Sequence, residues 1–155
     1  MSERATRYCS SRGMQPRLRL GFGKDATVLS TSAGTAIKIF DRRDAFGREL
    51  ACYLRLTDCG IHEFLGLHVP GLINSDVDLM VIEMTVVSRP FLLDFASAHL
   101  DEAPDFPAEV IEQWEHDKQE EFGQNWPRVV TLLAALKEQV GIHLLDIHPG
   151  NILFD

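Results

Sequence analysis

The chain has 155 residues, with 15 Lys+Arg against 23 Asp+Glu for a formal net charge of -8, 45% hydrophobic and 25% charged residues. This is the composition of a soluble globular chain rather than a disordered or fibrous one, and its acidic total argues against an electrostatic nucleic-acid binder, which needs clustered Lys and Arg. Three cysteines (Cys9, Cys52 and Cys59) with no CxxC pair argue against a disulfide scaffold or structural zinc, and no secretory leader or membrane-length apolar run is visible, so a cytoplasmic protein without a membrane segment is expected.

The charge is unevenly distributed. Residues 1–24 hold six basic groups (Arg4, Arg7, Arg12, Arg17, Arg19, Lys24) and one acid, net +5, which leaves -13 for the remainder. Residues 1–16 are polar and read as a basic flexible arm. From Arg17 the pattern predicts short strands: Arg17–Phe22, Thr27–Thr31 and Thr35–Phe40, with Ser32-Ala33-Gly34 as a turn. In Thr35–Phe40, Ala36, Lys38 and Phe40 share one face and Ile37 and Ile39 the other. Asp41 is the expected cap of a helix over 44–57, whose Phe46, Leu50, Tyr53, Leu54 and Leu56 recur at three- and four-residue intervals.

Strands are next expected at Gly71–Asn74 and Leu79–Met84, then a helix at Phe91–Leu100 beyond Pro90. Asp101–Pro107, with two prolines, is the linker candidate. Ala108–Phe122 predicts a strongly acidic helix whose carboxylates form a solvated face. Val129, Leu132, Leu133, Leu136 and Val140 stripe a second helix that opens near Pro127 and closes at Gly141. Hairpin-connected strands followed by helices predict an α+β fold: an antiparallel sheet with one packed helix, then a helical segment and a terminal hairpin around a polar loop. The expected divisions are 1–16, 17–88 and 89–155.

Three features carry possible chemistry. Gly21-Phe22-Gly23-Lys24-Asp25-Ala26-Thr27-Val28 is a G-x-G-x-x-A-x-V stretch between strands, and glycines there let backbone N–H groups approach phosphate oxygens. Lys38, in Ala36-Ile37-Lys38, points toward apolar surroundings and needs a partner, for which Glu49 is the nearest acid among core-facing positions. The final stretch holds Asp146, His148 and Asn151 in a loop between apolar segments. A carboxylate there can deprotonate a hydroxyl and a carboxamide oxygen can ligate Mg²⁺.

G-x-G-x-x-A-x-V, then A-I-K, a helical Glu and D-x-x-x-x-N, in that order, resemble the protein-kinase-like fold, and the likeness runs from Leu20 to Phe154. The wording Asp146-Ile-His-Pro-Gly-Asn151 is closer to aminoglycoside-phosphotransferase-like and other atypical kinases than to the H-R-D form. The resemblance implies ATP and Mg²⁺ as cofactors, Gly21 and Gly23 over the phosphates and a Lys38–Glu49 pair. It also implies a hinge at Glu83-Met84-Thr85 against the adenine, Asp146 as base, His148 at the transferred phosphoryl and Asn151 on the metal. The third glycine is Ala26, and Leu144-Leu145 replace His-Arg before Asp146. No D-F-G segment follows Asn151, and Asp155 stands too close to it to be that carboxylate. Two functions are therefore expected in competition: a weakly active ATP-dependent phosphotransferase, and a pseudokinase-type nucleotide- or protein-binding module. The phosphate acceptor is unnamed, and a protein partner or self-association is expected to cover the Val129–Val140 stripe of an incomplete helical lobe.

Overall fold

A computed structural model describes residues 2–155. In chain order it consists of α1 (Glu3–Ser11), β1 (Pro16–Phe22), β2 (Ala26–Thr31), β3 (Thr35–Phe40) and α2 (Arg43–Asp58). The short pair β4 (Glu63–Phe64) and β5 (Leu67–His68) follows, then β6 (Leu72–Asp76), β7 (Val81–Thr85), β8 (Phe91–Leu92) and β9 (His99–Leu100). After these come α3 (Ala108–Phe122), a 3₁₀ turn, α4 (Trp126–Val140), β10 (Ile142–His143) and β11 (Ile152–Leu153). The fold is α+β, and its main sheet is antiparallel with strand order β1-β2-β3-β7-β6.

β3 lies at the centre of that sheet, and the alternation of its side chains explains both layers around it. Ala36 and Phe40 face α2, where they join Phe46, Tyr53 and Leu56 in the larger core. Ile37 and Ile39 face the other way and are covered by Ala5, Tyr8 and Cys9 of α1, with Leu29 and Val81 beside them. The expected flexible arm is therefore a nine-residue helix packed on the sheet, and the sheet carries two helices rather than one. Arg4 fastens α1 by donating to the carbonyls of Phe40 (2.6 Å) and Leu79 (3.1 Å) and to Asp41 (3.2 Å). Asp41 is thus a partner of Arg4 and not the cap of α2, whose N-cap position is held by Arg42 without a side-chain bond.

Three further expectations are corrected downstream. Phe91–Leu100 is not a helix but two short strands around a turn: β8 pairs with β11 and β9 with β10, both antiparallel. The terminal segment is consequently no hairpin, because each of its strands pairs with a distant one. The stripe of α4 is not left for a partner either. Val129, Leu132, Leu136 and Val140 are buried in the larger core, at about 2 kcal/mol of hydrophobic stabilisation per fully buried side chain. Gly141 then ends α4 in the left-handed conformation (φ 67°), where a Cβ would meet Asp101 Oδ1 at 2.5 Å. Among the described residues no helix is long and apolar enough to cross a membrane.

Candidate functional site

Lys38 stands in the middle of β3, on the face turned to α2, with its side chain 10% exposed. Its Nζ donates to Glu49 Oε2 at 2.7 Å, as the sequence pattern predicts. Helix α2 delivers that carboxylate among Ala45, Phe46, Cys52 and Tyr53, all buried, so Glu49 has almost no solvent of its own. A second carboxylate, which sequence reasoning missed, completes the cluster: Asp94 Oδ1 accepts from Lys38 Nζ at 3.1 Å.

Asp94 lies two residues beyond the end of β8, at a left-handed φ of 67°. Such a conformation costs a non-glycine residue on the order of 1 kcal/mol, and Asp94 offsets it locally by accepting the Ala96 N–H at 3.1 Å. The β8–β11 ladder carries Asn151 to the same place: Leu93 N–H donates to Asn151 O at 2.8 Å, and Asn151 Nδ2 donates to Asp94 Oδ2 at 3.4 Å. The polar loop before Asn151 turns on His148, whose carbonyl accepts the N–H groups of Asn151 and Ile152 and whose Nδ1 accepts that of Gly150. Asp146 is exposed at the mouth of this loop, and its backbone N–H donates to Ser97 Oγ at 3.2 Å.

The cluster holds two carboxylates for one ammonium, hence one uncompensated negative charge in its ionised form. Burial pushes the Glu49 carboxyl up to about 7, against the pull of Lys38 and with the push of Asp94. Burial would lower the Lys38 ammonium, but Glu49 and Asp94 together outweigh it and hold it above its ordinary value. For Asp94 burial acts upward, and Lys38, the Ala96 N–H and His148 outweigh it, leaving that carboxyl below its ordinary range. Asp94 is therefore the carboxylate that stays ionised, and with its side chain 37% exposed it is also the one a solvated cation reaches.

The remaining expected site residues divide. Gly21 lies near the end of β1, paired with Val28 of β2, and Gly23 lies in the turn between the two strands. Neither has a positive φ, and a Cβ on either would meet nothing within 4 Å. The fold itself thus places no demand for glycine there, which leaves close approach of another molecule as a reason for it. Glu83 has its side chain on the α1 face, opposite Lys38, with its carboxylate fully engaged. Tyr8 Oη donates to it at 2.9 Å and Thr35 Oγ1 at 2.8 Å, and Arg12 Nε lies 3.2 Å away. Thr85 is likewise committed to the sheet, because its N–H donates to Gly71 O at 2.9 Å and its Oγ1 accepts from Gly71 N–H at 2.8 Å.

Among the described residues no three of His, Cys, Asp and Glu converge as a self-sufficient metal site. One carboxylate (Asp94) and one carboxamide (Asn151) in contact do fit Mg²⁺, which takes one or two protein oxygens and fills its octahedron with water and phosphate. Concavities of about 450 Å³ and 470 Å³ lie elsewhere, the first at Arg55, Lys137 and His143, the second between Arg7 and Asp78. Neither is lined by a residue of the Lys38 cluster, so chemistry rather than volume marks the site. A signal for Asp94 was present in the sequence: Asp94-Phe95-Ala96 departs from D-F-G in one residue, but it stands 57 residues before Asn151 rather than after it. No protein-family model matches the chain, and no curated protein matches its sequence.

Proposed function

We propose that the chain is a cytoplasmic, kinase-like phosphotransferase that binds ATP with Mg²⁺ between β3, α2 and the loops carrying Asp94 and Asn151. The observation that carries this reading is Lys38 held between Glu49 at 2.7 Å and Asp94 at 3.1 Å, with Asn151 on the second carboxylate. Phosphoryl transfer asks little covalent chemistry of a protein; it asks for positioned charge around the phosphates. Lys38 supplies the fixed cation for the α- and β-phosphates, and Glu49 keeps its ammonium charged and aimed. Backbone N–H groups around Gly21 and Gly23 cover the phosphates from above. Asp94 and Asn151 would hold Mg²⁺, which neutralises charge on the phosphate oxygens. For this the Asn151 carboxamide must rotate, since its nitrogen faces Asp94 and only its oxygen can ligate a cation. Asp146 accepts the proton of the incoming hydroxyl, and His148 stands beside the transferred group. Val28, opposite Lys38 in the β2–β3 register, offers apolar contact to the base in place of Glu83 and Thr85.

Titration calorimetry with ATP, with and without Mg²⁺, tests the site. The expectation is binding that Mg²⁺ strengthens, with the Mg²⁺ effect lost in Asp94→Asn and phosphoryl transfer lost in Asp146→Asn. Absence of binding at millimolar ATP rejects the proposal. Hydrolysis and transfer unchanged by Asp146→Asn would remove Asp146 as the base, and ATP binding without any hydrolysis or transfer leaves the non-catalytic nucleotide-binding module.

A further inference from the structure

α3 is the least buried helix of the molecule. Of its fifteen residues only Phe122 is buried, while Val110 and Ile111 are 50% and 44% exposed beside Phe106 at 44%. Helices of this length draw most of their stability from packing an apolar face; α3 packs Trp114 and Phe122 against Trp126 but leaves an open apolar patch at its start. It is bordered by exposed Glu109, Glu112 and Glu115. A second open apolar stretch lies on β1, the edge strand of the main sheet: Leu18, Leu20 and Phe22 are 74%, 54% and 74% exposed, the exposed cations Arg17, Arg19 and Lys24 stand among them, and the Arg19 guanidinium lies over the Phe22 ring at 4.9 Å.

The two faces are complements. Each presents three apolar side chains, one in a positive surround and one in a negative. From these exposures and charges we infer that they are partners across copies: β1 of one chain docks over the first turns of α3 of the next. The ladder from β1 to β2 is irregular between Pro16 and Arg19 and again between Arg19 and Gly21. Such irregularities twist an edge away from strand addition, so β1 receives a helix through its side chains rather than a strand through its backbone. Because the two faces differ, the contact is heterologous and grows head to tail. Patches of three side chains fall short of the ~1,000 Å² of a stable interface, so the association is weak, concentration-dependent and strengthened at low salt. This inference is independent of the phosphotransferase reading.

Sedimentation velocity over a concentration series tests it with the full chain and two variants. Leu18→Glu with Phe22→Glu makes the β1 face acidic, and Val110→Glu with Ile111→Glu adds acid to the α3 face; all four positions are exposed and none supports the core. The wild-type chain is expected to sediment faster with rising concentration at low salt and to dissociate near 1 M salt, where the Debye length is about 3 Å. Each variant alone is expected to be monomeric. Their equimolar mixture is expected to stop at dimers, since only the intact β1 of the second and the intact α3 of the first can meet; that result also shows that both variants fold. Wild-type chain that is monomeric throughout overturns the inference. Association that survives either variant, or a mixture that stays monomeric, overturns it too.

Discussion

Two clusters built around buried carboxylates lie back to back on the central sheet, and they are wired in opposite ways. On the α1 face Glu83 is one carboxylate surrounded by donors, from Tyr8, Thr35 and Arg12. On the α2 face two carboxylates, Glu49 and Asp94, share the single ammonium of Lys38. The first arrangement is saturated and has no capacity for another ligand. The second has negative charge in excess and a half-open member, so it gains from a cation, and from an anion only together with that cation. A satisfied carboxylate fastens a helix to a sheet, whereas an ammonium shared by two carboxylates leaves one charge uncompensated.

The largest expected effect separates the clusters most sharply. Lys38→Met leaves Glu49 and Asp94 facing each other without a cation; it should cost about 3–5 kcal/mol in denaturant unfolding and weaken ATP binding at least tenfold. Unaltered ATP affinity in a folded variant would remove Lys38 from the site. Next, Glu83→Gln should cost about 2 kcal/mol, because charge-assisted bonds to Tyr8 and Arg12 become neutral ones, while calorimetry finds ATP affinity unchanged. If that variant loses ATP but not stability, the two faces have been assigned the wrong way round.

A pH experiment sharpens the contrast further. Because burial raises Glu49 from its ordinary 4.5 to about 7, the folded state holds that proton more tightly than the unfolded chain does. Its contribution to stability is greatest at acid pH and is lost as pH rises from about 4.5 through about 7. Asp94, held below its ordinary value, acts in the opposite sense, and only as pH falls through the ordinary carboxylate range. The stability of the wild-type chain relative to Glu49→Gln should therefore fall by on the order of 2 kcal/mol between about pH 5 and about pH 8. A difference that does not vary with pH contradicts the buried, coupled environment. Smallest of all, Gly21→Ala and Gly23→Ala should change stability by no more than about 0.5 kcal/mol, since neither needs a positive φ. Weaker ATP binding with an unchanged melting temperature is the expected signature, and unchanged ATP binding would count against the phosphate-covering role.

The boundaries of β3 and α3 were legible residue by residue, because Thr35–Phe40 alternates and Ala108–Phe122 lies between Pro107 and Gly123. The Lys38–Glu49 contact was legible for a similar reason: a lysine on an apolar strand face must find an acid. α1 was hidden by its charge, since it buries only Ala5, Tyr8 and Cys9. Yet Ile37 and Ile39, opposite Ala36 and Phe40, already demanded a cover on the second face of the sheet. Asp94 was hidden because β8, β9, β10 and β11 are two residues each and owe their conformation to distant partners. A run such as Phe91-Leu92-Leu93 has no periodicity that separates strand from helix, so the pairing had to be seen.

Those two-residue ladders have a consequence for how the molecule breathes. Asp94 and Asn151 are brought together by β8 and β11, and little else in their loops is regular structure. The Ile37 and Ile82 amides, by contrast, sit on long strands within the sheet. Local opening of the short ladder should need far less free energy than global unfolding, so the Leu93 amide, which donates to Asn151 O, should exchange its hydrogen by a sub-global route while Ile37 exchanges only when the whole chain unfolds. A ligand that bridges the two loops would be released by either opening, so it should slow exchange at Leu93 and at Ile37 alike, each by the free energy of its binding.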